Sequence, residues 1–224
     1  MSETEHLAFV REPRLAALAT APLPAWVWSV GSGRIVWANA VGAAIFGAPT
    51  VRVLTERRFD ADHPAALQVA RLAVSLPPPG RPRLERLRGF APRVGGLLTC
   101  SCVRLPQSDG PPAILIAATE PAGPSLSLAE RVRRLFDGQP FAVFVPEGGL
   151  LHATPEATRA LGGATTLAAA GAAELAATAL QTGHAAGQGV LGPFTLDRLG
   201  SDDTAVLVVT LPAFGETTSR QAAG

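Results

Sequence analysis

Tyrosine is absent, cysteine occurs twice, and charged side chains make up only 17% of the 224 residues. Each scarcity removes a class of function. Two cysteines, Cys100 and Cys102, cannot build a disulfide framework. They stand one residue apart in an extended run, where alternate side chains share a face. A metal pair there would need further ligands nearby, and the sequence supplies none. A formal charge of +1 leaves no overall basic or acidic footprint, which argues against nucleic acid as a principal partner. No apolar run approaches the roughly 20 residues of a membrane span. The strongest runs, residues 25–30 and 113–118, are short, and residues 164–180 are alanine-rich and carry Glu174. The amino terminus, MSETEHLAFVREPR, opens on acids and lacks the basic-then-apolar order of a secretory signal. The expected location is cytoplasmic, with reduced thiols.

Catalytic motifs are scarce as well. A phosphotransfer histidine would be followed closely by an acid and a proline in a helix, and His6, His63, His152 and His184 lack that context. No Walker loop occurs, and the glycine pairs at Gly95-Gly96, Gly148-Gly149 and Gly162-Gly163 fit turns or helix ends. A cysteine–histidine nucleophile pair stays open as a minor enzyme reading, but nothing in the sequence places the two together.

What the chain does contain is organised around residues 24–46, PAWVWSVGSGRIVWANAVGAAIF. The aromatic and β-branched runs 26–30 and 34–38 flank Gly31-Ser32-Gly33, which predicts a β-hairpin. Asn39 is placed to cap a helix, Val41, Ala44 and Ile45 follow at helical spacing, and Gly47 fits its end. Pairing across a four-residue loop would set Trp26 opposite Trp37 and Trp28 opposite Ile35 on one face. Val27, Val36 and Ala38 would then occupy the other, and a one-residue slip would reverse the grouping.

A hairpin whose second strand ends in an asparagine that caps a short helix, followed by Phe46-Gly47, resembles the opening of a PAS domain. The wording W-x-W, R-I-V-W-A-N-A and A-I-F-G also looks like the sensory regions of bacterial sensor histidine kinases, cell-cycle kinases among them. A generic hairpin–helix corner of some other α+β fold is the alternative. The resemblance places any ligand cavity on the helix-covered face, with Val27, Val36, Ala38 and Phe46 as pocket candidates. Trp26, Trp28 and Trp37 would then lie on the outer face as interface candidates, under a flanking helix or a second subunit; the alternative is that they are core. It implies no cofactor. A haem ligand would sit inside the long helix, whereas His63 precedes Pro64, and the flavin-adduct cysteine motif is missing.

The remaining elements keep that order. A helix over residues 12–21, with Pro13 in its first turn, would precede the hairpin; the resemblance implies that it takes part in dimerisation, and the alternative is an ordinary surface helix. Helical turns follow Gly47, then a helix starting at Asp62 and Pro64 and broken by residues 76–82. Strands are expected over 84–90, 96–105 and 113–119, the last two joined by residues 106–112. After a linker at 121–126, Ser127 and Glu130 form a capping-box pattern, and Arg131, Arg133 and Arg134 suggest a solvated helix face. Residues 140–162 then repeat the hairpin: Pro140 corresponds to Pro24, Thr154 to Asn39 and Leu161-Gly162 to Phe46-Gly47. An alanine-rich helix over 167–181 and strands at 189–191, 193–199 and 205–211 would complete a divergent second copy with a tight core.

The expected class is α+β, with two PAS-like modules, each an antiparallel sheet with short helices on one face. The boundaries are a flanking helix in 1–21, a first module over 22–120, a linker over 121–126, a second module over 127–211 and a tail over 212–224. The expected function is the sensory and dimerisation region of a sensor histidine kinase, a homodimer that answers a small molecule or a protein partner and passes the signal to an output domain outside this chain. The alternative is a ligand-free protein-interaction scaffold.

Overall fold

Proline and short polar side chains set the start of most helices in the computed structural model, which describes residues 12–90, 96–105, 113–189 and 192–210. Helix α1 (Pro13–Ala19) begins at a proline, and the Glu12 carboxylate accepts from the Leu15 amide at 2.9 Å. Strands β1 (Ala25–Ser29) and β2 (Arg34–Ala38) form the hairpin, and Asn39 caps α2 (Ala40–Ile45). Thr50 caps α3 (Val51–Glu56). His63, not Asp62, caps α4 (Pro64–Ser75), its Nδ1 accepting from the Ala65 amide at 3.2 Å. With Pro64 in the first helical position, the cap falls on the residue just before it. Strands β3 (Arg83–Arg88), β4 (Leu97–Leu105) and β5 (Ala113–Ala118) follow. The expected connection at 106–112 and tail at 212–224 lie outside the described residues.

The five strands form one antiparallel sheet in the order β2-β1-β5-β4-β3. Beyond α5 (Leu128–Leu135) the same build recurs. Strands β6 (Phe141–Phe144) and β7 (Leu150–Ala153) make a hairpin, α6 (Pro155–Ala160) and α7 (Ala173–Thr182) follow, and β8 (His184–Gly189), β9 (Gly192–Leu199) and β10 (Val206–Thr210) complete a sheet ordered β7-β6-β10-β9-β8. The fold is therefore α+β with two PAS-like modules of one topology. The chain divides into two compact units after Asp137.

The hairpin register departs from the expected one. Its four-residue loop is present, since Ser29 pairs with Arg34 and Trp28 with Ile35. A bulge then intervenes, so that Val27 faces Trp37 and Trp26 faces Ala38. One step along β1 is matched by two along β2, and the extra residue, Val36, moves every later pair to the opposite side. The grouping of Trp26 with Trp37 is thus corrected to Trp26 with Ala38. The second hairpin repeats the irregularity between Val143 and Phe144.

Helix α5 packs on α2 and α3, within the first unit. Ser127 Oγ accepts from the Glu130 amide at 3.3 Å. The Glu130 carboxylate turns to its own helix, accepting from Arg133 at 2.9 and 3.0 Å and from Arg134 at 2.7 Å. Those bonds, Arg133 first and Arg134 second, hold it at a pKa of about 2. Arg131 departs from the solvated face expected for it: it is buried, and its Nη1 donates to the Leu126 carbonyl at 3.3 Å. A long aliphatic stem lets such a side chain lie along apolar surface while its head reaches a carbonyl.

Candidate functional site

The site grows from Asn39, fully buried where strand passes into helix. Its Oδ1 accepts from the Gly42 amide at 2.7 Å and from the Ala25 amide at 3.1 Å. Its Nδ2 donates to the carbonyls of Leu18 at 3.0 Å and Leu23 at 2.8 Å. One side chain thereby joins the end of α1, the approach to β1, the start of β1 and the first turn of α2, with both polar atoms used twice. Its backbone amide adds a bond to the Ala25 carbonyl at 3.0 Å. Aspartate would accept as well but could not donate, so the amide is specifically suited to this position.

This junction holds β1 with Trp26 and Trp28 directed at the helical segment. Trp26 stacks on Phe90 with ring centres 5.2 Å apart and meets Phe46 edge-on at 5.4 Å. Trp28 lies 4.7 Å from Phe59 and 6.5 Å from Phe90. Phe46 touches both Phe59 at 5.7 Å and Phe90 at 5.9 Å, and His63 closes on Phe59 at 5.1 Å. Offset and edge-on geometries at these separations are the favourable ones for aromatic pairs. The indole Nε1 of Trp26 is buried without an acceptor among the described residues.

Of the expected pocket residues, Phe46 is in this cluster and Ala38 is buried beside it, opposite Trp26. Val27 is buried on the other face with Trp37, and Val36 is the half-buried bulge residue. Of the expected interface residues, Trp26 and Trp28 stand on the ring side, whereas Trp37 is buried on the opposite face. Sequence reasoning missed Phe59 and Phe90. The signal available for them was weak: each is a lone aromatic ending a charged or polar run, 31 and 62 residues after Trp28 respectively.

Cys100 and Cys102 point inward from β4 and are buried, as is Leu98 between the same faces. Burial first, then the neighbouring Cys102 and Glu120, raises Cys100 to about 12; burial first, then Glu85, raises Cys102 to about 12. Thiols held neutral in this way are poor nucleophiles and poor metal ligands.

In the second unit, Thr154 occupies the place of Asn39. Its amide donates to the Phe141 carbonyl at 3.0 Å and its Oγ1 accepts from the Ala157 amide at 3.2 Å. A hydroxyl cannot make the remaining bonds of an amide, and here the side chain only caps. The core above it is built from Phe144, Phe194, leucines and a set of alanines including Ala142, at the position of Trp26. Small side chains draw helix and sheet together: a Cβ on Gly189 would stand 2.2 Å from the Phe194 ring and 2.8 Å from the Ala170 carbonyl. His184 Nδ1 lies 2.6 Å from Asp197 Oδ1 at the edge of this sheet.

No helix among the described residues is long and apolar enough to cross a membrane. No protein-family profile matches the chain, and no curated protein matches it. Among solved structures it is similar to a domain of a sensory box sensor histidine kinase/response regulator from Geobacter sulfurreducens, at 21% identity over 52% of this chain and 99% of that one, with a TM-score of 0.33. It is also similar to an extracellular ligand binding receptor from Desulfohalobium retbaense, at 13% identity over 83% of this chain and 29% of that one, TM-score 0.26. A third similarity is to the DhaR(N)–DhaL complex of E. coli, at 10% identity over 92% and 86% of the two chains, TM-score 0.29.

Proposed function

We propose that the chain is a tandem PAS-like sensory region of a bacterial sensor histidine kinase, cytoplasmic and homodimeric, that passes a signal to an output domain outside this chain. The W-x-W and R-I-V-W-A-N-A wording favours kinases of the cell-cycle type. In this reading the chain performs no chemistry, takes no cofactor, and transmits by a change in packing. The observation that carries it is mechanical. Asn39 ties α1, β1 and α2 into one junction, and α2 packs on α5, the helix that leads the chain out of the first module. A displacement of α1 or of the sheet end therefore reaches α5 through well-defined hydrogen bonds and packed side chains.

A ligand-free interaction scaffold is the second reading, and the ring cluster favours it. Five aromatic side chains occupy the face on which a PAS-like module would hold a small molecule, and Trp26, Trp28 and Phe90 are almost wholly inaccessible. A protein partner thus suits the first module better than a small ligand does.

The test is a fusion of this chain ahead of a soluble histidine-kinase core that lacks its own sensory region. Autophosphorylation should differ several-fold from that of the core alone, and Asn39→Ala should remove the difference while the fusion stays folded. Equal rates for the fusion and the bare core would overturn the sensory reading and leave the scaffold.

A further inference from the structure

The near-neutral charge of the chain conceals a local concentration. Residues 71–93 contain six arginines and a single acid, Glu85, in a chain whose net charge is +1. Those arginines that the structure describes fall on α4, on β3 and on the loop before it. Strand β3 is the terminal strand of the first sheet. An open groove of about 440 Å³ runs between it and α4, lined by Gln68 and Arg71 from the helix and Arg86 and Arg88 from the strand.

The edge is partly covered by a side chain acting as a strand would. Gln68 Nε2 donates to the Arg88 carbonyl at 2.6 Å, and its Oε1 accepts from the Arg88 amide at 2.9 Å. The backbone of Arg88 therefore points away from β4, and by the two-residue period of a strand so do the amides and carbonyls of Arg86 and Leu84. No further strand of the described residues lies beyond them.

The side chains here have a mixed character. Glu85 is neutralised by Arg83 at 2.5 Å, and Arg83 also donates to the Ser75 carbonyl at 2.7 Å. Arg71, Arg86 and Arg88 have no side-chain partner among the described residues. Of the exposed large hydrophobic residues among the described ones, Leu84 stands on β3 on the face of Arg86 and Arg88, and Leu97 pairs with Arg88 on the neighbouring strand; Leu67 and Val74 are on α4. Natural sheets avoid leaving leucine and free backbone together on an edge unless that edge is used.

We infer that the outer edge of β3 is a docking site for an extended, acidic segment of a partner protein, which adds to the first sheet as another strand. Backbone bonds to Leu84 and Arg86 set its register, and because Leu84, Arg86 and Arg88 share one face of the strand, the partner's side chains on that face are carboxylates beside Arg86 and Arg88 and an apolar residue beside Leu84. A second copy of this chain is a poorer occupant. Antiparallel pairing of the two edges about Arg86 sets Arg86 against Arg86, and like charges directly opposed are unfavourable. A nucleic acid would answer the arginines but leave the leucines in water. This inference stands apart from the sensory reading, because the use of this edge does not depend on any kinase.

The experiment titrates the whole chain into a short fluorescein-labelled peptide whose alternate positions carry valine, glutamate and glutamate, with its lysine-for-glutamate counterpart, inorganic polyphosphate and duplex DNA as competitors. Saturable binding of the acidic peptide, weakened by salt, is expected. Arg86→Ala and Arg88→Ala, both at exposed positions, should each reduce it roughly five- to tenfold. Amide exchange at Leu84 and Arg86 should slow on binding. Absence of binding, affinity unchanged in the double variant, or competition by polyphosphate or DNA without slowed exchange at those two amides would each overturn the proposal. So would peptide-independent self-association abolished by the same substitutions. Because no kinase is present, failure here leaves the autophosphorylation test of the sensory reading untouched.

Discussion

Gly42 lies so close to Ala25 that a Cβ added to it would stand 2.4 Å from the Ala25 carbonyl oxygen and 3.1 Å from Asn39 Oδ1. The contact is against backbone, which cannot swing aside as a side-chain end does. Alanine ordinarily favours a helix over glycine by about 1 kcal/mol, whereas overpacking of this kind costs about 1–3 kcal/mol. With a backbone oxygen as the obstacle, the upper part of that range applies, and Gly42→Ala is predicted to destabilise the first module by about 1–2 kcal/mol net. Urea unfolding followed by tryptophan fluorescence measures it cleanly, since Trp26, Trp28 and Trp37 all lie in that module. A stabilised variant would mean that α2 sits farther from β1.

Asn39 and Thr154 occupy equivalent places but bear different loads. Asn39→Ala removes a helix cap, worth about 1 kcal/mol. It also strands the Ala25 amide and the Leu23 carbonyl, each at about 1–3 kcal/mol where water cannot replace the lost partner, whereas the Leu18 carbonyl keeps the Ala21 amide at 3.2 Å. A loss of at least about 3 kcal/mol is expected in the first module. Thr154→Ala removes only the cap and should cost about 1 kcal/mol in the second. Far-ultraviolet circular dichroism follows the second module, which contains no tryptophan. Equal losses at the two positions would show that the four-way junction contributes no more than a cap.

The buried thiols make stability depend on pH at the alkaline end. Cys100 and Cys102 are raised to about 12 in the folded chain, above the roughly 8.5 of a free thiol. A group whose folded pKa is raised leaves its contribution intact below the unfolded pKa and loses it as pH climbs toward the folded one. Stability should therefore fall between about pH 8.5 and 12, and replacing both cysteines with alanine should flatten that part of the profile. At pH 8 the folded protein should resist iodoacetamide and react promptly once denatured. Rapid labelling of the folded chain would contradict the burial of β4's inner face.

Much of the local structure was legible because it rests on neighbours in sequence. Asn39 before an apolar helix, Gly47 after it, and Pro64 at a first helical position each declare themselves within a few residues. The second hairpin was legible through Pro140, Thr154 and Leu161-Gly162. The register between Trp26 and Ala38 was not, since the bulge at Val36 is chosen by packing on both faces at once. The ring cluster was not either. It joins Trp26 to Phe46, Phe59 and Phe90 across loops, and no periodicity links those positions. Arg131 was misread because helical patterning counts a guanidinium as solvent-facing, although its stem can lie along apolar surface. The arginines near β3 were hidden by a net charge that sums over the whole chain.

Native mass spectrometry of the purified chain tests the central functional claim most directly. A species at twice the 23.0 kDa subunit mass is expected, carrying no retained small molecule, because the face that would hold one is filled by Trp26, Trp28, Phe46, Phe59 and Phe90. A stoichiometric added mass that Trp26→Ala or Phe90→Ala abolishes would contradict the filled core, and a monomer at every concentration would contradict the homodimer.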